Sequence, residues 1–266
     1  MTQLQMNLTS HSLSGKHALV TGGARGIGAA VTRALLAHGA RVTMLGRSPA
    51  PGGADDLNIE GRPELGYARA DVTEPGALLQ AFDAARERFG SIDILVNNAG
   101  QGRSAPFVKT GFHLWREMMQ VNVDGTFHCI HAVLPAMLET GWGRIVNIAS
   151  TAGLIGYGYV SAYCAAKHAV IGLTRALALE VASKGVTVNS VCPGFTETEM
   201  LQETIAAIVG KTGRTEAEAR AELTARNPQK RMVQPEDVAN AVAWLCLPGS
   251  EAVTGQSIAV AGGEVM

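Results

Sequence analysis

The sequence predicts an α/β fold, a single doubly wound parallel sheet with helices on both faces. Three observations carry that expectation. Short β-like runs alternate with helical stretches along the chain, the order a parallel sheet covered on both faces requires. A glycine-rich turn stands between the first run and the first helical stretch. No repeat of fixed period and no Pro/Ser/Gly linker divides the 266 residues, so one domain over 1–266 is the economical reading.

In chain order, strands are expected at residues 17–21, 41–45, 66–70, 92–97, 144–149, 187–192 and 257–260. Helical segments are expected near 27–38, 75–89, 125–139, 162–183 and 235–247. Residues 1–12 read as a loose tail. The stretch 49–63 is rich in Gly and Pro but falls inside one strand–helix–strand unit, which makes it a surface loop rather than a boundary. Residues 196–232 are too long for a simple connection. They hold an Ala- and Glu-rich helical piece and then Asn227-Pro228, as a lid over a substrate would.

The composition, 47% apolar and 17% charged, is that of a globular enzyme and too hydrophobic for a disordered chain. A net charge of −1 gives no global field for nucleic acid or an anionic membrane. The longest apolar region, 169–181, is interrupted by Arg175 and Glu180, so no membrane span is expected. The first dozen residues lack the basic cluster and apolar core of a secretory signal. Cys129, Cys164, Cys192 and Cys246 lie far apart with no CxxC pair, which fits reduced thiols in a cytoplasm and no metal site.

The first strand runs directly into Thr21-Gly22-Gly23-Ala24-Arg25-Gly26-Ile27-Gly28 and then a helix. Glycines there let backbone N–H groups approach a pyrophosphate, with the helix N-terminus adding partial positive charge. The spacing is TGxxxGxG rather than the commoner GxGxxG, and alone it is also the signature of a tight strand–helix turn. Further on, Tyr163 and Lys167 stand four apart and so share a helix face. A Lys ammonium beside a phenol favours the phenolate and is expected to lower the Tyr pKa. Ser150 closes a strand, at the edge where open α/β sheets bind ligands.

These motifs stand in a recognisable order: the TGxxxGIG turn, Asp71-Val72, Asn97-Asn98-Ala99-Gly100, Asn122, Ser150, Tyr163-Cys164-Ala165-Ala166-Lys167, then Pro193-Gly194 and Thr198. From residue 13 to the C-terminus the chain resembles the short-chain dehydrogenase/reductase superfamily. The resemblance implies a Rossmann-type fold and hydride transfer between a nicotinamide cofactor and a carbonyl or secondary-alcohol carbon. It implies Ser150, Tyr163 and Lys167 as catalytic residues, with Asn122 holding a water that relays protons to the lysine. Asn122 also reads as a cap for the helix that begins near Gly125. For the cofactor it implies Gly22, Gly26, Ile27 and Gly28 at the pyrophosphate and Asp71 and Val72 at the adenine. Asn98, Ala99 and Gly100 would line the adenine ribose side. Pro193, Gly194, Thr196 and Thr198 would wrap the nicotinamide, beside Tyr163 and Lys167.

NAD-specific relatives usually carry an acid where the second strand here ends in Gly46, and Arg47 follows. With Arg25 in the glycine turn, this favours NADP(H), with NAD(H) as the alternative; both arginines also read as solvated surface. Within the superfamily the chain is similar to 3-oxoacyl thioester reductases and aromatic polyketide ketoreductases. The turn 139–143 lacks the basic cluster of fatty-acid-synthesis members, which points to a coenzyme A thioester or another ketone rather than a carrier protein. Arg214, Arg220, Arg226, Lys230 and Arg231 either meet the phosphates of coenzyme A or form a solvated helix face. The rival readings are an NAD-dependent dehydrogenase of a hydroxyacyl-CoA or cyclic alcohol, a polyketide-type ketoreductase, and a non-catalytic cofactor-binding subunit. The resemblance also implies a homo-oligomer, a tetramer, for which the helix 162–181 and residues 258–266 are candidate interfaces or simply core.

Overall fold

The computed structural model describes residues 12–49, 57, 59 and 61–266. The expected tail before Ser12 and most of the 49–63 stretch lie outside the described residues.

Seven strands form one sheet: β1 (His17–Thr21), β2 (Arg41–Gly46), β3 (Leu65–Arg69), β4 (Ile94–Asn97), β5 (Gly143–Ile148), β6 (Val186–Pro193) and β7 (Ser257–Val260). Their order is β3-β2-β1-β4-β5-β6-β7, and every pairing is parallel. The winding reverses between β1 and β4, and at such a switch point a crevice opens beyond the strand C-termini. The period-2 alternation of side chains feeds two cores. Ala18, Val20, Val42 and Met44 meet α1 (Gly26–Ala37) and α8 (Pro235–Cys246) on one face. Leu19, Leu45, Leu95 and Ile145 meet α2 (Pro75–Phe89), α4 (Gly125–Thr140) and α5 (Ser161–Val181) on the other. The doubly wound reading of the sequence therefore stands.

Element ends follow local chemistry. Helix α2 opens on Pro75, where a missing N–H costs nothing. It stops at Gly90, whose φ of 82° a side chain would resist, with Arg86 and Arg88 in its last turn. Strand β4 starts at Ile94, two residues later than expected, because Asp93 turns its carboxylate to the His17 backbone N–H at 2.9 Å and Lys16 Nζ at 3.1 Å.

Two regions differ from the sequence reading. The helix expected at 125–139 continues backwards through a π-turn over Gln120–Asp124 into a further helix, α3 (Phe112–Met119). Phe112 is exposed and only Met118 of α3 is buried; Leu114, Trp115, Met118 and Met119 recur at helical spacing, but over a helix of only eight residues. Residues 196–232 hold two helices rather than one piece, α6 (Glu199–Thr212) and α7 (Glu216–Thr224). They close on a small core of Leu201, Ile205, Ala219 and Met232. Among the described residues no helix is long and apolar enough to cross a membrane, no group of His, Cys, Asp or Glu could hold a metal, and the four cysteines are free.

Candidate active site

The end of β5 carries the chain into a tight turn that presents Ser150. Its hydroxyl accepts the Ala152 N–H at 3.1 Å and caps the short 3-10 turn Thr151–Gly153. That turn sits directly on α5, since a Cβ on Gly153 would lie 2.7 Å from the Lys167 carbonyl oxygen. Close approach here brings Ser150 against the first turn of α5, beside the Tyr163 phenol. Tyr163 is half-buried and its ring packs beside Gly102. One turn on, the buried Lys167 donates through Nζ to the Ile148 carbonyl at 2.9 Å. The structure thus brings Ser150, Tyr163 and Lys167 together.

The electrostatics correct one expectation. Burial pushes the Tyr163 phenol above its ordinary range, and the Ser150 hydroxyl opposes that only in part. Lys167 does not hold the phenol down. Its Nζ lies 5.7 Å from the Tyr163 ring centroid and is engaged with a backbone carbonyl. Burial lowers Lys167 itself to about 8. Near neutrality the pair is a protonated phenol beside an ammonium, a proton-donating arrangement.

Asn122 is buried inside the π-turn and is not the cap of a helix beginning at Gly125, because the helix passes straight through it. Its Nδ2 donates to Gln101 O at 3.0 Å and Met118 O at 2.9 Å, and its Oδ1 accepts from Gln101 N at 3.3 Å. The side chain clamps the 100–102 loop to the helix. A Cβ on Gly100 would stand 2.8 Å from Asn122 Oδ1 and 3.4 Å from Lys167 Nζ, so both atoms border one small space that only glycine leaves open. Single π-turns inside helices concentrate at functional sites.

The glycine turn follows β1 at the switch point. Gly22 and Gly26 have φ of 64° and 51°, and a Cβ on Gly28 would lie 2.1 Å from the Gly22 carbonyl oxygen. Helix α1 has no side-chain cap and no acid in its first turn, so its leading N–H groups remain open to an anion. These features fit a pyrophosphate. Asn98 holds the turn in place, its Nδ2 donating to Thr21 O at 2.9 Å and Gly22 O at 3.2 Å, while Ala99 N donates to Thr21 Oγ1 at 2.9 Å. Ile27 packs on the core below.

Asp71 accepts from Thr73 N and Oγ1 at 2.9 and 2.8 Å and pairs with Arg47 at 3.7 Å. Val72 is buried; a Cβ on Gly125 would meet it at 2.7 Å, so its side chain belongs to the core rather than open to a ligand. Arg25 pairs with Glu199 at 3.0 Å, an ion pair exposed on both sides. Beyond β6, Gly194 N donates to Val260 O at 3.0 Å, Thr196 Oγ1 to Gly194 O at 2.9 Å and Thr198 Oγ1 to Thr196 O at 3.2 Å. Thr198 comes within 3.1 Å of where a Gly26 Cβ would be, so the 193–198 segment arches over the glycine turn.

In the 196–232 segment, Arg220 binds Glu197 and Glu216, Arg231 binds Asp237, and Arg214 binds Glu222. Three of the five cations singled out in the sequence are therefore paired with carboxylates. Sequence reasoning missed Tyr157 and Glu264, joined at 2.7 Å beside the Ser150 turn; no motif marks them.

The short chain dehydrogenase family model matches residues 16–208 of this chain. The chain belongs to the short-chain dehydrogenase family. It is an oxidoreductase. It is 38% identical to the 3-oxoacyl-acyl-carrier-protein reductase FabG of Vibrio cholerae over 257 residues, 96% of this chain and 99% of that protein. It is 35% identical to a D-beta-hydroxybutyrate dehydrogenase of Rhizobium meliloti over 256 residues, 93% and 98% of the two chains. Among solved structures, a variant of actinorhodin polyketide ketoreductase with NADPH superposes with a TM-score of 0.86 at 38% identity, covering 96% of this chain and 99% of that one.

Proposed function

We propose that this dehydrogenase-family chain, acting as one cytoplasmic domain in a homo-oligomer, reduces a 3-oxoacyl thioester of coenzyme A with NADP(H). The observation that carries the reading is the convergence of Ser150, protonated Tyr163 and Lys167 at one strand end. Ser150 holds the substrate oxygen, and Tyr163 delivers a proton to it as negative charge develops. The Lys167 ammonium favours that charge, and Asn122 keeps the 100–102 loop and the space beside Lys167 in position for a proton relay. A bound nicotinamide supplies the hydride.

Gly46 leaves no carboxylate at the end of β2 to compete with a 2′-phosphate, and the half-exposed Arg47 guanidinium stands beside it. The NADPH in the similar ketoreductase supports the same preference. Asp71, Asn98 to Gly100, Pro193, Gly194, Thr196 and Thr198 would complete the nucleotide site. Exposed Phe112, Phe127, Leu138 and Leu179 support assembly with further copies. Helix α5 serves as core through Leu177 and Val181 while Leu179 points out.

The test follows nicotinamide absorbance with acetoacetyl-CoA and NADPH or NADH in parallel. NADPH oxidation at least tenfold faster than NADH oxidation is the expected result. A preference for NADH would move the enzyme to the oxidative reading.

A further inference from the structure

The turn between Ser150 and Tyr163 holds an aromatic residue whose hydroxyl sits in a three-membered chain. Tyr157 Oη is 2.9 Å from Thr151 Oγ1 and 2.7 Å from Glu264 Oε1. A carboxylate only accepts, and a phenol has one proton, so Tyr157 donates to Glu264 and takes the Thr151 hydroxyl as its donor. Such an ionised acceptor gives a short, strong bond. Thr151 is the residue next to Ser150, so the chain ties Glu264 to the catalytic turn.

Glu264 is brought there by the chain that follows β7, on the same sheet edge as Ser150 and Pro193. Gly262 and Gly263 turn it with φ of 59° and 89°. The Gly262 backbone lies so close to buried Asn227 that a Cβ would sit 2.3 Å from Asn227 Oδ1. The other carboxylate oxygen, Oε2, stands 3.3 Å from the place of a Gly194 Cβ. Glu264 thus fills the gap between the catalytic turn and the arch beyond β6. Among the described residues no Lys or Arg forms an ion pair with it. The exposed Arg226 stands against this wall, its guanidinium 6.0 Å from the Tyr157 ring. Phe195 packs edge-on to the same ring at 6.3 Å.

We propose that Glu264, anchored by Tyr157, is a specificity-determining residue that excludes substrates with a negative charge near the reacting carbonyl. Free 3-oxo and 3-hydroxy acids are turned away, while neutral acyl groups, esters and thioesters are admitted. Negative charge inside and Arg226 outside match a neutral acyl group carried on a phosphorylated handle. The inference rests on the 3-oxoacyl reading of the site.

The test compares kcat/KM for acetoacetate, ethyl acetoacetate and acetoacetyl-CoA with NADPH in wild type, Glu264→Gln, Glu264→Ala and Tyr157→Phe. Two unit charges about 10 Å apart at an effective dielectric near 20 interact by roughly a tenfold factor in rate. The acetoacetate-to-ester ratio is expected to rise about tenfold in Glu264→Gln and Glu264→Ala. It should not rise in Tyr157→Phe, which loosens the wall but keeps the charge. A ratio unchanged in both Glu264 variants, or wild type using acetoacetate as well as the ester, overturns the inference and leaves the thioester reading intact. Loss of acetoacetyl-CoA turnover alone, with the ratio shift present, overturns the thioester reading and leaves the inference standing. Reduction of none of the three overturns both.

Discussion

The wall at the ends of β4 and β5 and the rim formed by the glycine turn, the ends of β2 and β3 and residues 196–232 hold their polar groups in opposite ways. In the wall, buried Lys167 bonds the carbonyl of Ile148 in β5, and buried Asn122 bonds the carbonyls of Met118 in α3 and Gln101 in the adjoining loop. On the rim, Arg25 and Glu199 pair with side chains 72% and 71% exposed, and Arg47 and Asp71 pair at 3.7 Å. Exposed pairs contribute about 0–1 kcal/mol and exchange partners readily. The wall therefore keeps one geometry, and the rim's exposed pairs are the ones that the phosphates of the proposed cofactor would displace.

The sharpest way to break this comparison is to cut the wall. Tyr163→Phe is expected to lower kcat for acetoacetyl-CoA reduction by about 10²- to 10⁴-fold while NADPH still binds, read by steady-state rates and nucleotide fluorescence. Retention of rate within tenfold would remove Tyr163 from the chemistry. Lys167 offers a test of burial itself. Its folded pKa of about 8 lies below its ordinary value of 10.5, so the unfolded chain binds more protons between those values. The penalty is fully present below pH 8 and fades as pH rises toward 10.5. Lys167→Met should thus narrow its stability difference from wild type by about 3 kcal/mol over that window, measured by denaturant unfolding.

At the junction of the two regions, Gly28→Ala pushes a methyl into the Gly22 carbonyl and Asn98 Nδ2. It should weaken NADPH binding about tenfold or more and leave far-ultraviolet dichroism unchanged. The smallest effect belongs to the rim. Glu199→Gln frees Arg25 and should tighten NADPH about twofold, less so at 0.5 M salt, by isothermal titration.

The fold was legible because short β-branched and apolar runs alternate with helical stretches, and β1 and β6 are buried at every position. The meeting of Ser150, Tyr163 and Lys167 was legible for a different reason: a helix fixes the spacing of Tyr163 and Lys167, and a strand end fixes Ser150. Asn122 was found, but its π-turn was not, since a π-turn adds one residue per turn without any signature in residue type. The pairs Arg25–Glu199 and Arg220–Glu197 were hidden because their partners stand 174 and 23 positions apart in sequence. Tyr157 and Glu264 are 107 positions apart and meet only through the sheet's closing strand. The expected lowering of the Tyr163 pKa failed on burial, which the spacing of two residues does not report.

The most direct test of the account is the pH dependence of kcat/KM in both directions between pH 6 and 10, with NADPH on acetoacetyl-CoA and with NADP⁺ on 3-hydroxybutyryl-CoA. In the proposed reaction a protonated phenol stands beside an ammonium. The reductive constant should then be level at low pH and fall as Lys167 loses its proton above about 8, while the oxidative constant climbs. A reductive constant that rises through pH 8 would contradict it.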